Sequence, residues 1–111
     1  MDIADIQSRL REFASERDWD QYHSPKILSM ALAVEAAELM EIFQWVGSEE
    51  SRRVVEHSDK LGQVEAEIAD ICIYAIRLAD VIGVDLDVAI SHKIDQNSEK
   101  YPLGDNRRWS F

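Results

Sequence analysis

The chain has 111 residues, enough for a moderate core, and we expect residues 1–111 to form one domain. Its net charge of −10 repels phosphates, which argues against non-specific binding to nucleic acid. No long apolar run occurs, so neither a membrane span nor a signal peptide is expected. One cysteine, Cys72, cannot form an internal disulfide, which fits the cytoplasmic location that we expect.

The first part of the chain predicts an amphipathic helix and a loop. Residues 3–17 carry apolar side chains at spacings of three and four, as on one face of a helix. Residues 18–23 have no helical period and include two large aromatic side chains, so we expect a loop. Trp19 is hard to explain as a core residue in such a loop, and base stacking is an alternative role.

The second predicted helix covers residues 25–46. Ser24 and Pro25 form the N-cap and first-turn pattern that starts a helix, and Gly47 is expected to end it. The middle of this helix is apolar on most of its circumference. That pattern predicts that the helix is buried, either by the other helices or by a neighbouring subunit.

The second half of the chain predicts two more helices. Residues 48–59 are polar and charged, so we expect a loop with a short helical turn. Helix three is expected over residues 63–82, and helix four over residues 86–100 with Asp85 as its N-cap. No strand pattern occurs, so the predicted class is all-α, a small four-helix bundle. The side chains expected to face inward are Ile68, Ile71, Cys72, Ala75, Leu78 and Ile82 in helix three, and Leu86, Ala89, Ile90 and Ile94 in helix four.

Two pairs of carboxylates have the spacing of one helix face. Glu35 and Glu38 lie three residues apart in helix two, and Glu67 and Asp70 repeat that spacing in helix three. If these helices pack side by side, the four carboxylates repel one another unless cations bind. Ligands that are all oxygen favour Mg²⁺ or Mn²⁺ over Zn²⁺. The alternatives are solvated acids paired with bases elsewhere, or a non-catalytic helical module that binds a basic protein partner.

The order Glu35-x-x-Glu38, 28 intervening residues, then Glu67-x-x-Asp70 resembles the signature of the MazG-like nucleoside triphosphate pyrophosphohydrolases. The stretches ERDWDQYHSPK and EAAELMEIFQW resemble the dCTP pyrophosphatase branch of that superfamily. The resemblance covers about residues 3–102, almost the whole chain.

The resemblance implies an Mg²⁺-dependent hydrolase, with Mn²⁺ as a substitute. Such an enzyme would convert a deoxynucleoside triphosphate to its monophosphate and pyrophosphate. Its role would be house-cleaning of the nucleotide pool. The four acids would hold the metal, and we assign proton abstraction to Glu38. We expect a preference for dCTP, with leakage because Leu10 stands where relatives can carry a His; a dUTP-type pyrophosphatase is the related alternative. Homodimers or homotetramers are expected from the family. The positions matching nucleotide contacts are Trp19, His23, Trp45 and Tyr74, and those matching phosphate contacts are Lys93, Asn97 and Lys100.

Several of these residues also have simpler explanations. Without the resemblance, Trp45 and Tyr74 are better explained as core aromatics, and His23 is equally explained as a side chain that satisfies the local backbone. The polar stripe of helix four is also explained as a solvated face. Cys72 is better explained as a core residue than as a nucleophile, because nothing nearby would lower its pKa.

Overall fold

The computed structural model describes residues 2–104, and no strand occurs among them, which confirms the all-α class. Trp109 and Phe111 suggest that the tail docks on some other part of the protein, but both lie outside the described residues. None of the helices in residues 2–104 has the length and apolar character needed to cross a membrane. The helices are α1 (Ile3–Glu16), α2 (Pro25–Phe43), α3 (Ser48–Ser51), α4 (Ser58–Ile82) and α5 (Leu86–Lys100), with 3-10 turns at Asp20–Tyr22 and Arg52–Glu56.

The predicted starts of α2 and α5 are confirmed. Ser24 Oγ accepts a hydrogen bond from the Ile27 backbone N–H at 3.2 Å, and Asp85 Oδ1 accepts one from the Val88 N–H at 3.1 Å. Each bond satisfies a backbone donor that a helix start leaves without an intrahelical partner. Gly83 ends α4 with φ of 77°, a left-handed conformation that glycine adopts without the steric penalty of a side chain.

Two predicted boundaries were wrong. The helix α2 ends at Phe43 rather than at residue 46, and Gly47 is the N-cap of α3 rather than the end of α2. The helix α4 begins at Ser58, five residues before the predicted start at residue 63. The early start includes Gly62, whose weak helix propensity costs only about 1 kcal/mol, so packing of the following turns outweighs it.

The helices α2 and α4 pack side by side and form the main contact of the described chain, with α1 against α4. The helix α5 makes few close approaches to the others. Among residues 2–104, the fully buried apolar side chains are Ala14, Leu28, Val64, Ile76 and Ala79.

Much of the predicted core is exposed in this single chain, so those predictions were wrong. On α4, Ile68, Cys72 and Ile82 are exposed, because the packed face runs instead through Val64, Ile76 and Ala79.

Ala89, Ile90 and Ile94 on α5 are also exposed, because no other helix of the described chain covers α5. Burial of α2 is likewise incomplete: Val34 and Met40 are exposed. The described chain therefore leaves apolar surface exposed on α2, α4 and α5.

Candidate active site

Packing of α2 against α4 brings three of the four predicted acids together. The carboxylate oxygens of Glu35, Glu38 and Glu67 lie within 4.8 Å of one another. Glu35 and Glu67 are half-buried, whereas Glu38 is exposed. We call these three residues the acid cluster. Glu35 and Glu38 lie on the face of α2 that packs against α4, and Glu67 lies on the facing side of α4, as the three-residue spacing predicts.

The acid cluster contains negative charge that no protein cation balances. Within residues 2–104, none of the four predicted acids takes part in an ion pair. Glu35 Oε2 and Glu67 Oε2 are buried and have no hydrogen-bond partner. Buried carboxylate oxygens without partners are costly, so this arrangement fits a hard divalent cation bound by oxygen ligands.

The pKa values of the cluster respond to this crowding. A hydrogen bond with Glu67 raises the pKa of Glu35, and burial and the charges of Glu67 and Asp70 raise it further. A hydrogen bond with Glu35 is the main reason why the pKa of Glu38 is also raised. Both carboxyl groups therefore hold a proton more readily than an isolated glutamate does, as expected for like charges in one site.

Asp70 is not one of the three clustered acids. It lies one turn beyond Glu67 on α4, and its side chain lines a neighbouring hollow of about 340 Å³. Because its charge contributes to the raised pKa of Glu35, it is still within electrostatic reach of the cluster. Asp70 therefore lies between the acid cluster and the hollow.

The hollow has an aromatic wall, and we call it the aromatic hollow. Trp19 packs edge-on against Phe13, with ring centroids 5.5 Å apart, and its ring lies 6.3 Å from that of His23. The volume lies within the usual range of small-ligand sites. The lining residues are Leu10, Phe13, Trp19, His23, Asp70, Ile73, Tyr74 and Arg77.

An open cleft of about 450 Å³ is lined by two of the four acids, and we call it the acidic cleft. Glu38 and Glu67 line it together with Glu41, which adds to the raised pKa of Glu38. Lys60 is the only basic side chain among the described lining residues, and Gln63 supplies an amide. This acidic cleft therefore borders Glu38 and Glu67, and the aromatic hollow borders Asp70.

The buried side chain of Arg77 lines the aromatic hollow and connects several of its neighbours. Arg77 is only 8% exposed, and its Nη2 donates to Asp20 Oδ1 at 2.8 Å while its Nε donates to His23 Nδ1 at 3.1 Å. Its Nη1 lies 3.7 Å from Asp80 Oδ2. Arg11 from α1 holds the same carboxylate through two hydrogen bonds of 2.7 and 2.8 Å. These ion pairs join α1, the 3-10 turn and α4.

The environment of His23 favours its neutral form. Burial is the main reason why the pKa of His23 is lowered, and the charge of Arg77 lowers it further, against the opposing effect of Asp20. The simpler explanation, that His23 only satisfies the local backbone, is wrong: its Nδ1 accepts from a side chain 54 residues away.

Some predicted site residues lie outside both the aromatic hollow and the acidic cleft. Trp45 follows the end of α2 and is 89% exposed, so it is not a core residue of the described chain. Lys93, Asn97 and Lys100 lie on α5 and line neither the aromatic hollow nor the acidic cleft. Lys100 instead places its ammonium 5.2 Å from the Tyr101 ring centre. Their roles stay predictions.

Sequence reasoning missed five side chains that shape the site. Arg77 carried one signal, since it continues the stripe of Glu67, Asp70 and Tyr74 at helical spacing. The others follow no local pattern, because each reaches the site through packing of distant segments. They are Phe13, Asp20, Asp80 and Lys60.

With this geometry established, comparison with known proteins identifies the family. The MazG-like family profile matches residues 30–110. The chain belongs to the MazG-like family. The predicted resemblance to that family is thereby confirmed, and the matched range includes all four predicted acids.

Individual relatives agree with this assignment. The MazG-like chain is 40% identical over 101 residues to dCTP pyrophosphatase 1 of Bos taurus, covering 91% of this chain and 60% of the relative. It is 38% identical over 100 residues to dCTP pyrophosphatase 1 of Homo sapiens. The chain thus spans about three fifths of the length of these curated relatives. A crystal structure of a pyrophosphatase from Archaeoglobus fulgidus matches with a TM-score of 0.82 and 42% identity, covering 89% of this chain and 91% of that one.

Proposed function

We propose that this MazG-like chain is a deoxynucleoside triphosphate pyrophosphohydrolase that prefers dCTP and forms dCMP and pyrophosphate. One observation supports it above all: an unbalanced acid cluster adjoins an aromatic hollow along one stripe of α4. Relatives named dCTP pyrophosphatase 1 support the choice of base. We also propose that residues 1–111 act as a single domain and that the role is clearing of the cytoplasmic nucleotide pool.

The base would occupy the aromatic hollow. Trp19 and Tyr74 offer ring faces, and stacking of one base on an aromatic side chain contributes about 1–3 kcal/mol. Leu10 adds an apolar wall rather than a polar contact. Stacking alone does not distinguish bases, so we expect dCTP first with measurable turnover of other deoxynucleotides.

The triphosphate would lie next to the four acidic side chains. Glu35, Glu38, Glu67 and Asp70 would hold Mg²⁺, with Mn²⁺ as a substitute, because their donors are all oxygen and two of them lack partners. When bound, the divalent cation neutralises phosphate charge and lowers the pKa of an attacking water.

Glu38 is our candidate for the general base that accepts the proton of this water. Its exposed carboxylate gives an attacking water access to a proton acceptor beside the half-buried Glu35 and Glu67.

The pyrophosphate leaving group would lie toward the acidic cleft. Lys60 is the basic side chain that lines this cleft beside Glu38 and Glu67. An ammonium at that position would offset part of the charge that develops on the leaving group. With the base in the aromatic hollow, the nucleotide would then extend across the acids from one depression to the other.

We propose that the chain works as a homodimer or homotetramer. Its exposed apolar side chains on α2 and α5, among them Met40 and Ile94, support this proposal. A second copy would also supply Trp45 and the polar stripe of Lys93, Asn97 and Lys100 to the site of its partner.

Mixing of inactive variants tests this sharing. Trp45→Ala should raise the Michaelis constant for dCTP about tenfold, which corresponds to about 1.4 kcal/mol of lost stacking. If sites are shared, exchange of subunits between Trp45→Ala and Glu38→Gln proteins should restore some low-substrate activity, because some mixed sites then carry both native side chains. No gain after confirmed exchange would contradict sharing.

The activity itself is tested by a screen for pyrophosphate release over all common deoxy- and ribonucleoside triphosphates with Mg²⁺. We expect the largest kcat/KM for dCTP, and in ¹⁸O-labelled water the label should enter dCMP. Preference for dUTP would replace the proposed substrate. Release of orthophosphate with a diphosphate product would contradict the proposed reaction.

A further inference from the structure

The guanidinium of Arg77 contacts three side chains, Asp20, His23 and Asp80. Arg77 is also the only charged side chain that is buried among residues 2–104. A guanidinium stays protonated and presents its donors in a rigid planar fork. Asp20 on Nη2 and Asp80 near Nη1 therefore fix the direction in which Nε–H points, which is toward His23.

This contact determines the tautomer of His23. Arg77 Nε can only donate, so His23 Nδ1 must accept with its lone pair. The single proton of a neutral imidazole then lies on Nε2. A charged imidazolium would instead place a donor on Nδ1 against the donor of Arg77, which is unfavourable.

The remaining nitrogen of His23 is free. Within residues 2–104, His23 Nε2 makes no hydrogen bond, and His23 is one of the side chains that line the aromatic hollow. Leu10, Phe13 and Ile73 offer no polar group, and the acceptor-bearing side chains that also line the hollow, Asp70 and Tyr74, make no hydrogen bond to His23 within residues 2–104. The Nε2–H donor therefore has no protein partner in this structure, and leaving it unmatched when a ligand excludes water would be costly.

We propose that Arg77 is a positioning residue that holds His23 as the Nε2–H tautomer, and that this N–H donates to the O2 carbonyl of a pyrimidine base in the aromatic hollow. The ligand part rests on the proposed function; the tautomer part concerns the free protein alone. Because O2 is common to cytosine, uracil and thymine, this bond selects the class of base and leaves the choice among pyrimidines to other contacts.

The tautomer is measured directly by ¹⁵N NMR of the imidazole nitrogens in the wild-type protein at neutral pH. The chain has three histidines, and loss of one signal set in His23→Gln assigns the resonances of His23. We expect a protonated Nε2 and an unprotonated Nδ1. A protonated Nδ1 would overturn the proposal, and this measurement needs no variant of Arg77 to fold.

Arg77→Lys tests the positioning role. Lysine keeps the charge but lacks the fork, so it cannot hold Asp20 and His23 in fixed directions together. We expect His23 to populate both tautomers and the Michaelis constant for dCTP to rise about tenfold, the effect of one lost hydrogen bond, with a smaller change in kcat. Unchanged tautomer and unchanged Michaelis constant would overturn the proposal.

A matched control is Arg53→Lys, because Arg53 makes an exposed ion pair with Glu56 at 3.0 Å and lines neither hollow. It should leave the tautomer and the kinetics unchanged. Adding dCMP with Mg²⁺ to the wild type should shift the His23 Nε2 resonance. If calorimetry detects dCMP binding and that resonance does not move, the base contact is wrong. If the tautomer is as expected but no nucleotide is bound or hydrolysed, the proposed function fails and only the Arg77 contact stands.

Discussion

One face of α4 carries two pairs of charged side chains at the same three-residue spacing. The first pair has no ion-pair partner within the described residues, and the second pair is fully paired. In the first half, Glu67 and Asp70 have no cationic partner among the described residues, and Glu67 has a buried oxygen without any hydrogen bond. In the second half, Arg77 and Asp80 are held by partners from α1 and the 3-10 turn.

The difference separates charges that support the fold from charges that await a ligand. Ion pairs that are completed within the chain stabilise one arrangement of its helices, whereas unpaired buried carboxylates cost stability until a cation binds. The acid cluster therefore lowers the stability of the metal-free protein, and we attribute this destabilisation to the proposed metal site.

The largest effect should come from Glu38→Gln. It keeps the size of the side chain but removes the negative charge and the proton acceptor, so turnover of dCTP should fall by about 10²–10⁴-fold. Most of the rise in melting temperature on adding Mg²⁺ should disappear as well. The matched control is Glu65→Gln on the exposed part of α4, which should change neither quantity. A Glu38→Gln protein with full Mg²⁺-dependent turnover would remove Glu38 from both assigned roles.

Glu35→Gln should have opposite effects on stability with and without metal. The pKa of Glu35 is raised, so its charged form is disfavoured by folding and destabilises the metal-free protein at neutral pH. The variant should melt at a higher temperature than the wild type in EDTA and should gain less from Mg²⁺.

The pH dependence sharpens this test. The penalty appears as pH rises above the unfolded glutamate pKa of about 4.3 and is complete above the raised folded-state pKa. The advantage of Glu35→Gln should therefore be largest at neutral pH and should vanish in acid. A variant that is less stable than the wild type in EDTA at neutral pH would show that the acid cluster is not strained.

The smallest effect should come from Asp80→Asn in the paired half. Its hydrogen bond with Arg11 is the main reason why the pKa of Asp80 is lowered. A lowered folded-state pKa contributes stability above the unfolded value of about 3.9 and loses it as pH falls through the folded value. The variant should melt slightly lower at neutral pH. Arg11 is largely exposed, so water screens its pair with Asp80, and the buried Arg77 keeps Asp20 at 2.8 Å as a closer partner than Asp80 at 3.7 Å.

Thermal melts at several pH values measure this effect, and the difference from the wild type should disappear in strong acid. Mg²⁺ should stabilise Asp80→Asn as much as the wild type. A loss of the Mg²⁺ effect would contradict the separation of the two halves of α4.

The helices and their caps were largely predictable because they depend on local patterns. The spacing of apolar residues, Ser24 before Pro25 and Asp85 before α5 are each decided within a few residues of the chain. The meeting of Glu35, Glu38 and Glu67 was also predictable, because each predicted pair has the spacing of one helix face, although Asp70 lies outside the acid cluster.

The rest depends on contacts between distant segments. Arg77 reaches Asp20 and His23 across 57 and 54 residues, and no spacing rule reports which turn an arginine will meet. The prediction of which faces of α4 and α5 point inward failed for a related reason. An apolar stripe indicates that a surface is to be covered, but it does not say by what, and Ile90 and Ile94 are exposed among the described residues.

The small internal core has a consequence for how the protein responds to dilution. When only a few side chains, such as Leu28 and Ile76, are fully enclosed, a folded monomer has little reserve against unfolding. Association of copies through the apolar surfaces of α2 and α5 would then supply part of the folding free energy by mass action. The melting temperature should accordingly rise with total protein concentration, and at high dilution loss of assembly and loss of the folded state should become one event.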